Sequence, residues 1–244
     1  MAEFIGERSR LYKECLREFP NAREEDIEVM KKYLAPKDNE VILEIGAGSG
    51  FFSERLSKMV KRLIVSDPSN EQLEEVKELK RKNIELREEG ADALTLGKEK
   101  VDAIWSFGAM HHCFNKTKAF QNFARILKKG GRLILADVWH GSKLAKHFDD
   151  KVAKFCVTGH EVAFWTDEFA ESFCFLSGLQ KPKIYDLNIQ WKFDTKEEFL
   201  YKIHAMTKTT PQKCLKGAEE ILGIEKKGDK FCLNWPMKVM VSKK

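Results

Sequence analysis

The sequence has no apolar run near the roughly 18–20 residues needed to cross a bilayer. Its opening stretch, MAEFIGERSR, lacks the apolar segment and small-residue cleavage site of a signal peptide. Six cysteines, at 15, 113, 156, 174, 214 and 232, form no CxxC pair. Reduced thiols, a cytoplasmic location and no bound metal are therefore expected. Internal repeats, low-complexity tracts and Ser/Gly linkers are missing as well. Strong charge is missing too: the formal net charge is only +5. The last 64 residues have no arginine at all, yet hold 14 lysines against 8 acids. Lysines spread that evenly read as a solvated surface, with nucleic-acid attraction the competing reading.

What is present fits one large α/β domain: 244 residues, 43% hydrophobic and 33% charged. Short apolar runs at 41–45, 62–67, 83–89, 101–107 and 132–138 read as strands. Amphipathic stretches at 51–58, 70–80 and 115–129 read as the helices between them. Asn115 stands as the N-cap of the last, and Gly130-Gly131 as its stop. This alternation implies βαβ units and a parallel sheet covered on both faces. Two helices precede the first strand, separated by Pro20 and ended by Pro36. Downstream come helices over 142–155 and, capped by Thr166 and closed by Gly178, over 167–177. A strand over 183–193 follows, then a helix opened by a Thr195–Glu198 capping box. A further helix near 212–222 leads to a last strand around 231–241, which Pro236 should bulge.

The stretch VILEIGAGSG, residues 41–50, sets glycines at 46, 48 and 50 between a strand and a helix. Glycine suits such a turn because a side chain would block a ligand and because the backbone adopts unusual angles. The dinucleotide fingerprint GxGxxG needs its third glycine at position 51, which is Phe. Glu44, two residues before Gly46, also argues against a pyrophosphate and for a ligand bearing a cationic amino group. A nicotinamide-linked oxidoreductase is thereby disfavoured.

At this point the stretch resembles motif I, hh(D/E)hGxGxG, of the class I S-adenosylmethionine (SAM) methyltransferases. The chain is similar to the small-molecule group of that superfamily through VDAIWSFGAMHHCFN and AFQNFARILKKGGRLILADV, with Lys129 in place of the usual Pro. The likeness covers residues 41–138. It implies a Rossmann-like seven-stranded sheet, mostly parallel with its last strand antiparallel, and helices on both faces. Residues 1–36 would form an N-terminal helical cap and 37–140 the SAM-binding core. Residues 141–244 would complete the fold, with a helical lid inserted between strands six and seven at about 194–228.

The resemblance also implies site roles. Glu44, Gly46, Ala47, Gly48 and Gly50 would hold the methionine end of SAM. Asp67, followed by Pro68, ends the second strand and would accept both ribose hydroxyls. Asp92 would meet the adenine amino group, and Ala93 would offer its backbone amide to the ring. Ser106 and Phe107 are positioned to line the adenine or sulfonium side. The product would be S-adenosylhomocysteine.

The acceptor belongs where strand four ends, so His111 or His112 is the candidate general base. Neighbouring side chains point apart, so at most one faces the pocket. Methylases of exocyclic amines and glutamine amides carry an (N/D)PPY-type loop there; this chain reads SFGAM. Tyr12, Trp139, Trp191 and Tyr201 are candidates to enclose a small, partly apolar acceptor. A small-molecule acceptor is the leading expectation, in a monomer or homodimer without membrane contact. RNA or tRNA methylation, a SAM-binding partner protein without activity, and methylation directed by Cys113, Cys156 and Cys174 stand behind it.

Overall fold

The computed structural model describes residues 4–194 and 196–244. The Thr195–Glu198 capping box therefore lies outside the described residues. Strands are β1 Val41–Ile45, β2 Arg62–Ser66, β3 Ile84–Arg87, β4 Val101–Phe107, β5 Leu127–Asp137, β6 Lys183–Phe193, β7 Ile224–Lys227 and β8 Lys230–Lys243. The helices that matter here are α1 Gly6–Glu18, α2 Glu24–Leu34, α3 Phe51–Leu56, α4 Asn70–Lys77 and α5 Lys116–Ile126. They continue with α6 Lys143–His147, α7 Ala153–Phe155, α8 Asp167–Ser177, α9 Lys196–Ile203 and α10 Pro211–Leu222. A π-helical segment, Phe148–Val152, joins α6 to α7.

The sheet order is β3-β2-β1-β4-β5-β8-β6. Neighbours among β1 to β5 run parallel, and β8 is antiparallel to both β5 and β6. The expected mostly parallel sheet with an antiparallel last strand is thus present. It has eight strands rather than seven, because the short β7 pairs antiparallel with the start of β8.

Both faces are buried, as near-continuous apolar strands require. The two-residue pleat sends Ile42, Ala103, Trp105 and Ile134 into one core, with α2, α3 and the helices of the insertion. It sends Leu43, Ile45, Ile104 and Leu133 into the other, with α5 and α8. Each large side chain buried in this way contributes about 1.5–3 kcal/mol.

Two local expectations are corrected. Gly130-Gly131 does not stop α5. The helix, capped by the Asn115 side chain accepting from Lys118 N at 2.9 Å, ends at Ile126. Leu127 already pairs with Val101, so the glycines lie within β5, where a Cβ at Gly131 would meet Lys128 O at 2.9 Å. Pro236 causes no bulge, since β8 pairs with β6 in continuous register from Lys230's neighbour Phe231 to Val241. It falls where β8 has left β5, whose pairing ends at Lys238, and has not reached β7, whose pairing starts at Leu233. An imino acid is tolerated at such a gap.

The carboxyl ends of β1, β2 and β4 define the functional edge. Strand order reverses between β1 and β4, and ligands of open α/β sheets bind in the crevice beside such a reversal.

Candidate active site

The glycine turn is built by backbone bonds. Gly46 and Ala47 donate to Ser66 O at 2.8 and 3.4 Å, and Gly50 donates to Ala47 O at 3.1 Å. Gly46, Gly48 and Gly50 have φ of 66°, 53° and 84°, the left-handed region. At Gly46 a Cβ would lie 2.2 Å from Ala109 Cβ, so the turn abuts the loop that follows β4. That contact is what draws motif and loop around one cavity.

The cavity has a volume of about 240 Å³. Gly46, Gly48, Asp67, Pro68, Asp92, Phe107 and His112 line it, and Phe4 and Tyr12 cover it from the N-terminal side. Asp67 is held from two directions, Oδ2 accepting from Gly48 N and Oδ1 from Ser69 N, both at 2.9 Å. Each oxygen keeps a lone pair for a further donor. Burial raises the Asp67 pKa and the two backbone bonds oppose that rise.

Glu44 sits one residue behind the lining residue Ile45. It is 2% exposed. Ser53 Oγ donates to its Oε2 at 2.6 Å, while Oε1 has no partner among the described residues. Burial, with Asp67 adding to it, pushes its pKa up to about 8 against the Ser53 bond. A buried carboxyl with an orphaned oxygen beside a glycine cradle fits a cationic ligand group. The donor set therefore suits SAM: a cradle for its amino-acid end, Asp67 for vicinal hydroxyls and Asp92 at the far wall.

Other expected residues stand elsewhere. Ala47 and Gly50 shape the turn without lining the cavity. Ser106 Oγ is spent on Ile45 O at 3.0 Å. Ala93 N is spent on Gly90 O at 2.9 Å within a short 3₁₀ turn, so it offers no amide to a ring. Trp139 Nε1 donates to Asp167 Oδ1 at 2.7 Å, facing a separate groove beside Pro236 and Lys238. Trp191 Nε1 donates to Asp26 Oδ1 at 3.1 Å and its ring stacks on Trp235 at 3.8 Å, inside the core. Tyr201 packs half-buried on α9.

The insertion at about 194–228, expected as a lid, packs elsewhere among the described residues. No described lining residue comes from it. Instead α9 backs α1: Phe19 and Phe199 meet edge-to-face at 5.4 Å, and Cys15 Sγ lies 3.5 Å from Phe199 O. The aromatic surface of α9 is apolar and α1 offers the matching face. Of the four aromatics expected around an acceptor, the structure brings only Tyr12, whose OH accepts from Arg23 Nη1 at 3.1 Å.

His111 and His112 do not point apart as expected of neighbours: their rings lie 4.1 Å from each other, although His112 is the one on the cavity wall. His111 is buried, with its Nδ1 2.5 Å from Asp137 Oδ1 and its backbone N donating to Asp137 Oδ2 at 3.0 Å. Burial raises the Asp137 pKa, but the charge and hydrogen bond of His111 outweigh that and hold it low. Asp137 was missed in the sequence, although RLILAD repeats the strand-ending acid of RLIVSD. Cys113 also lines the cavity, and burial followed by Asp92 pushes its thiol up to about 11, so it stays protonated near neutrality.

Residues 43–135 match the family model described as a methyltransferase domain. Over that segment the chain is similar to a methyltransferase domain, and the fold is that of the class I SAM-dependent methyltransferases. The chain is similar to the uncharacterized methyltransferase YcgJ of Bacillus subtilis, 29% identical over 120 residues that cover 48% of this chain and 47% of that protein. A putative methyltransferase of Dictyostelium discoideum is 33% identical over 96 residues, covering 39% of this chain and 35% of its own length. The matched segments thus span less than half of these relatives. The solved structure of YcgJ shares the fold with a TM-score of 0.68 at 18% identity, covering 91% of this chain and 99% of that one. A Haemonchus contortus N-methyltransferase, solved with phosphomonomethylethanolamine and S-adenosylhomocysteine, gives a TM-score of 0.63 at 15% identity, over 91% of this chain and 52% of that one.

Proposed function

We propose that this chain transfers the methyl group of SAM to a small-molecule acceptor held at the end of β4. The observation that carries the reading is the joining of three elements in one cavity: the glycine turn, the doubly anchored Asp67 and the wall residue His112. When bound, SAM supplies a methyl carbon already activated by its sulfonium. The work left to the protein is positioning and, where the acceptor carries a proton, its removal.

Gly46 and Gly48 let the ligand approach the backbone, and Glu44 balances its positive amino group. Asp67 accepts the ribose hydroxyls with its remaining lone pairs, and Asp92 takes the adenine amino group. Phe107 gives an apolar wall. His112 receives the acceptor proton, while Asp137 fixes His111 behind it.

A small acceptor is supported over RNA by two features. Phe4 and Tyr12 line the cavity and narrow it toward the size of a small acceptor. The C-terminal lysines are dispersed into local ion pairs, such as Lys192 with Glu25, Lys202 with Glu18 and Lys238 with Asp167. No helix of the described residues is long and apolar enough to cross a membrane.

The test uses SAM carrying a labelled methyl group and a cell extract divided into small-molecule, RNA and protein fractions. Label should enter the small-molecule fraction, and mass spectrometry then names the acceptor. Label confined to RNA would overturn the acceptor class, and SAM binding with no labelled fraction would favour a non-catalytic partner role.

A further inference from the structure

Beyond β4 the cavity wall meets a histidine cluster that is larger than the single base methyl transfer calls for. His111, His112 and His160 each bring one ring nitrogen within 4.8 Å of the other two. Their rings lie 4.1, 5.4 and 5.1 Å apart for the 111–112, 111–160 and 112–160 pairs. They come from two distant segments, the loop after β4 and the irregular stretch between α7 and α8. His111 is 3% exposed and His160 is 6% exposed.

Their hydrogen bonding is incomplete in a directed way. Asp137 takes Nδ1 of His111, and Nε2 of that ring is buried without a partner among the described residues. Both ring nitrogens of His160 are likewise buried without one. A buried polar atom left unpaired costs about 1–3 kcal/mol, so three such nitrogens on two facing rings call for an occupant. Arg8 fixes the loop that carries His160, donating to Thr158 Oγ1 at 2.7 Å and to Gly159 O at 3.3 Å.

We propose that His111, His112 and His160 bind a divalent first-row transition-metal ion, Zn²⁺ being the natural occupant of three imidazoles. A carboxylate on the far nitrogen of a ligating histidine is the usual supporting contact, and it fixes the tautomer that leaves Nε2 to the metal. Asp137 is saturated in that role, also accepting from the His111 and Val138 backbone amides and from Trp165 Nε1. Its negative charge offsets that of the ion and of nearby Arg8. Phe148, stacked on His160 at 4.7 Å, and Phe164 keep water from the outer side. Zn–N bonds of about 2.0–2.1 Å would draw the three nitrogens to about 3.3 Å apart, an inward move of no more than about 1.5 Å. Three protein ligands leave the fourth position open. Because His112 lines the cavity, that position would face it, available to water or to a heteroatom of an acceptor; with the ion bound, a metal-held hydroxide rather than His112 would take the acceptor proton. The metal site itself does not depend on the methyltransferase reading.

The full chain is dialysed against Zn²⁺, freed of excess ion, and its metal content measured by mass spectrometry; Co²⁺ then serves as a spectroscopic probe. Wild type should retain about one ion per chain and show the visible bands of a nitrogen-ligated, four-coordinate Co²⁺. His160→Gln and His111→Gln should each hold less than about one tenth of an ion, and Asp137→Asn should bind about 10- to 100-fold more weakly. His140→Gln, at an exposed histidine, should change nothing. SAM affinity, measured on the same samples, reports folding; where His160→Gln fails to bind SAM, His160→Asn and the wild-type Co²⁺ spectrum decide. Wild type that binds SAM yet keeps no ion overturns the proposal, as does full occupancy in both His160 variants. Metal retention without SAM binding would instead overturn the cofactor reading alone.

Discussion

The two sides of the cavity are built from opposite materials. On the β1–β3 side, backbone turns and carboxylates do the work: Gly46, Gly48, Glu44 and Asp67 come from one span of 24 residues. On the β4–β5 side the groups are imidazoles and aromatic rings, gathered from α1, the loop after β4 and the stretch around His160, with Asp137 at the end of β5 behind them. The first side is local in sequence and shaped to receive a cation and hydroxyls. The second is assembled only by the tertiary fold and offers imidazole nitrogen donors. Local construction makes a site readable from spacing; long-range assembly hides it.

The largest expected effect breaks the first side. Gly46→Val places a branched Cβ on a backbone at φ 66° and against Ala109 Cβ. Strain and overpacking together should cost on the order of 3–5 kcal/mol in chemical unfolding and abolish SAM binding. Gly6→Val, also at positive φ but with nothing near its Cβ, should lose less stability and keep SAM binding.

The same contrast explains what the sequence disclosed. The βαβ alternation, the GxGxG turn and Asp67 at a strand end were legible because each is a short-range pattern set by pleat, turn or cap. Tyr12 lines the cavity. Trp139, Trp191 and Tyr201 did not, because aromatic spacing marks an apolar face without saying which surface it meets. The insertion expected as a lid packs its apolar stripe against α1 for the same reason. His160 and Asp137 carried no local signal tying them to His111, and only the packing of β5 and the 156–165 stretch joins them.

A smaller effect separates the roles of Glu44. The folded protein holds this proton up to about pH 8, whereas the ordinary value is 4.5. Between those values the unfolded chain has released the proton and the native state has not, so stability without ligand falls as pH rises through that window. Glu44→Gln removes the penalty. Thermal melts should show no advantage at pH 4.5 and a gain of a few kcal/mol by pH 8, each tenfold in proton affinity being about 1.4 kcal/mol. SAM binding by the same variant should weaken. A stabilised apoprotein with full SAM affinity would remove Glu44 from the cofactor site.

Asp67→Asn should weaken SAM binding about 10- to 100-fold in calorimetry, since it converts one acceptor into a donor facing Ser69 N. The smallest effect belongs to Trp139→Phe. Losing the bond to Asp167 should cost about 1 kcal/mol or less, with SAM affinity and acceptor KM unchanged. A raised acceptor KM would return Trp139 to the site and redraw its second side.

The central claim is that the glycine turn with Glu44 and Asp67 is built for SAM and not for a dinucleotide. Calorimetric titration of the purified chain with SAM, S-adenosylhomocysteine and NADH tests it most directly. The account predicts one site per chain for SAM and S-adenosylhomocysteine, with no heat from NADH beyond dilution. Binding of NADH without SAM would contradict it.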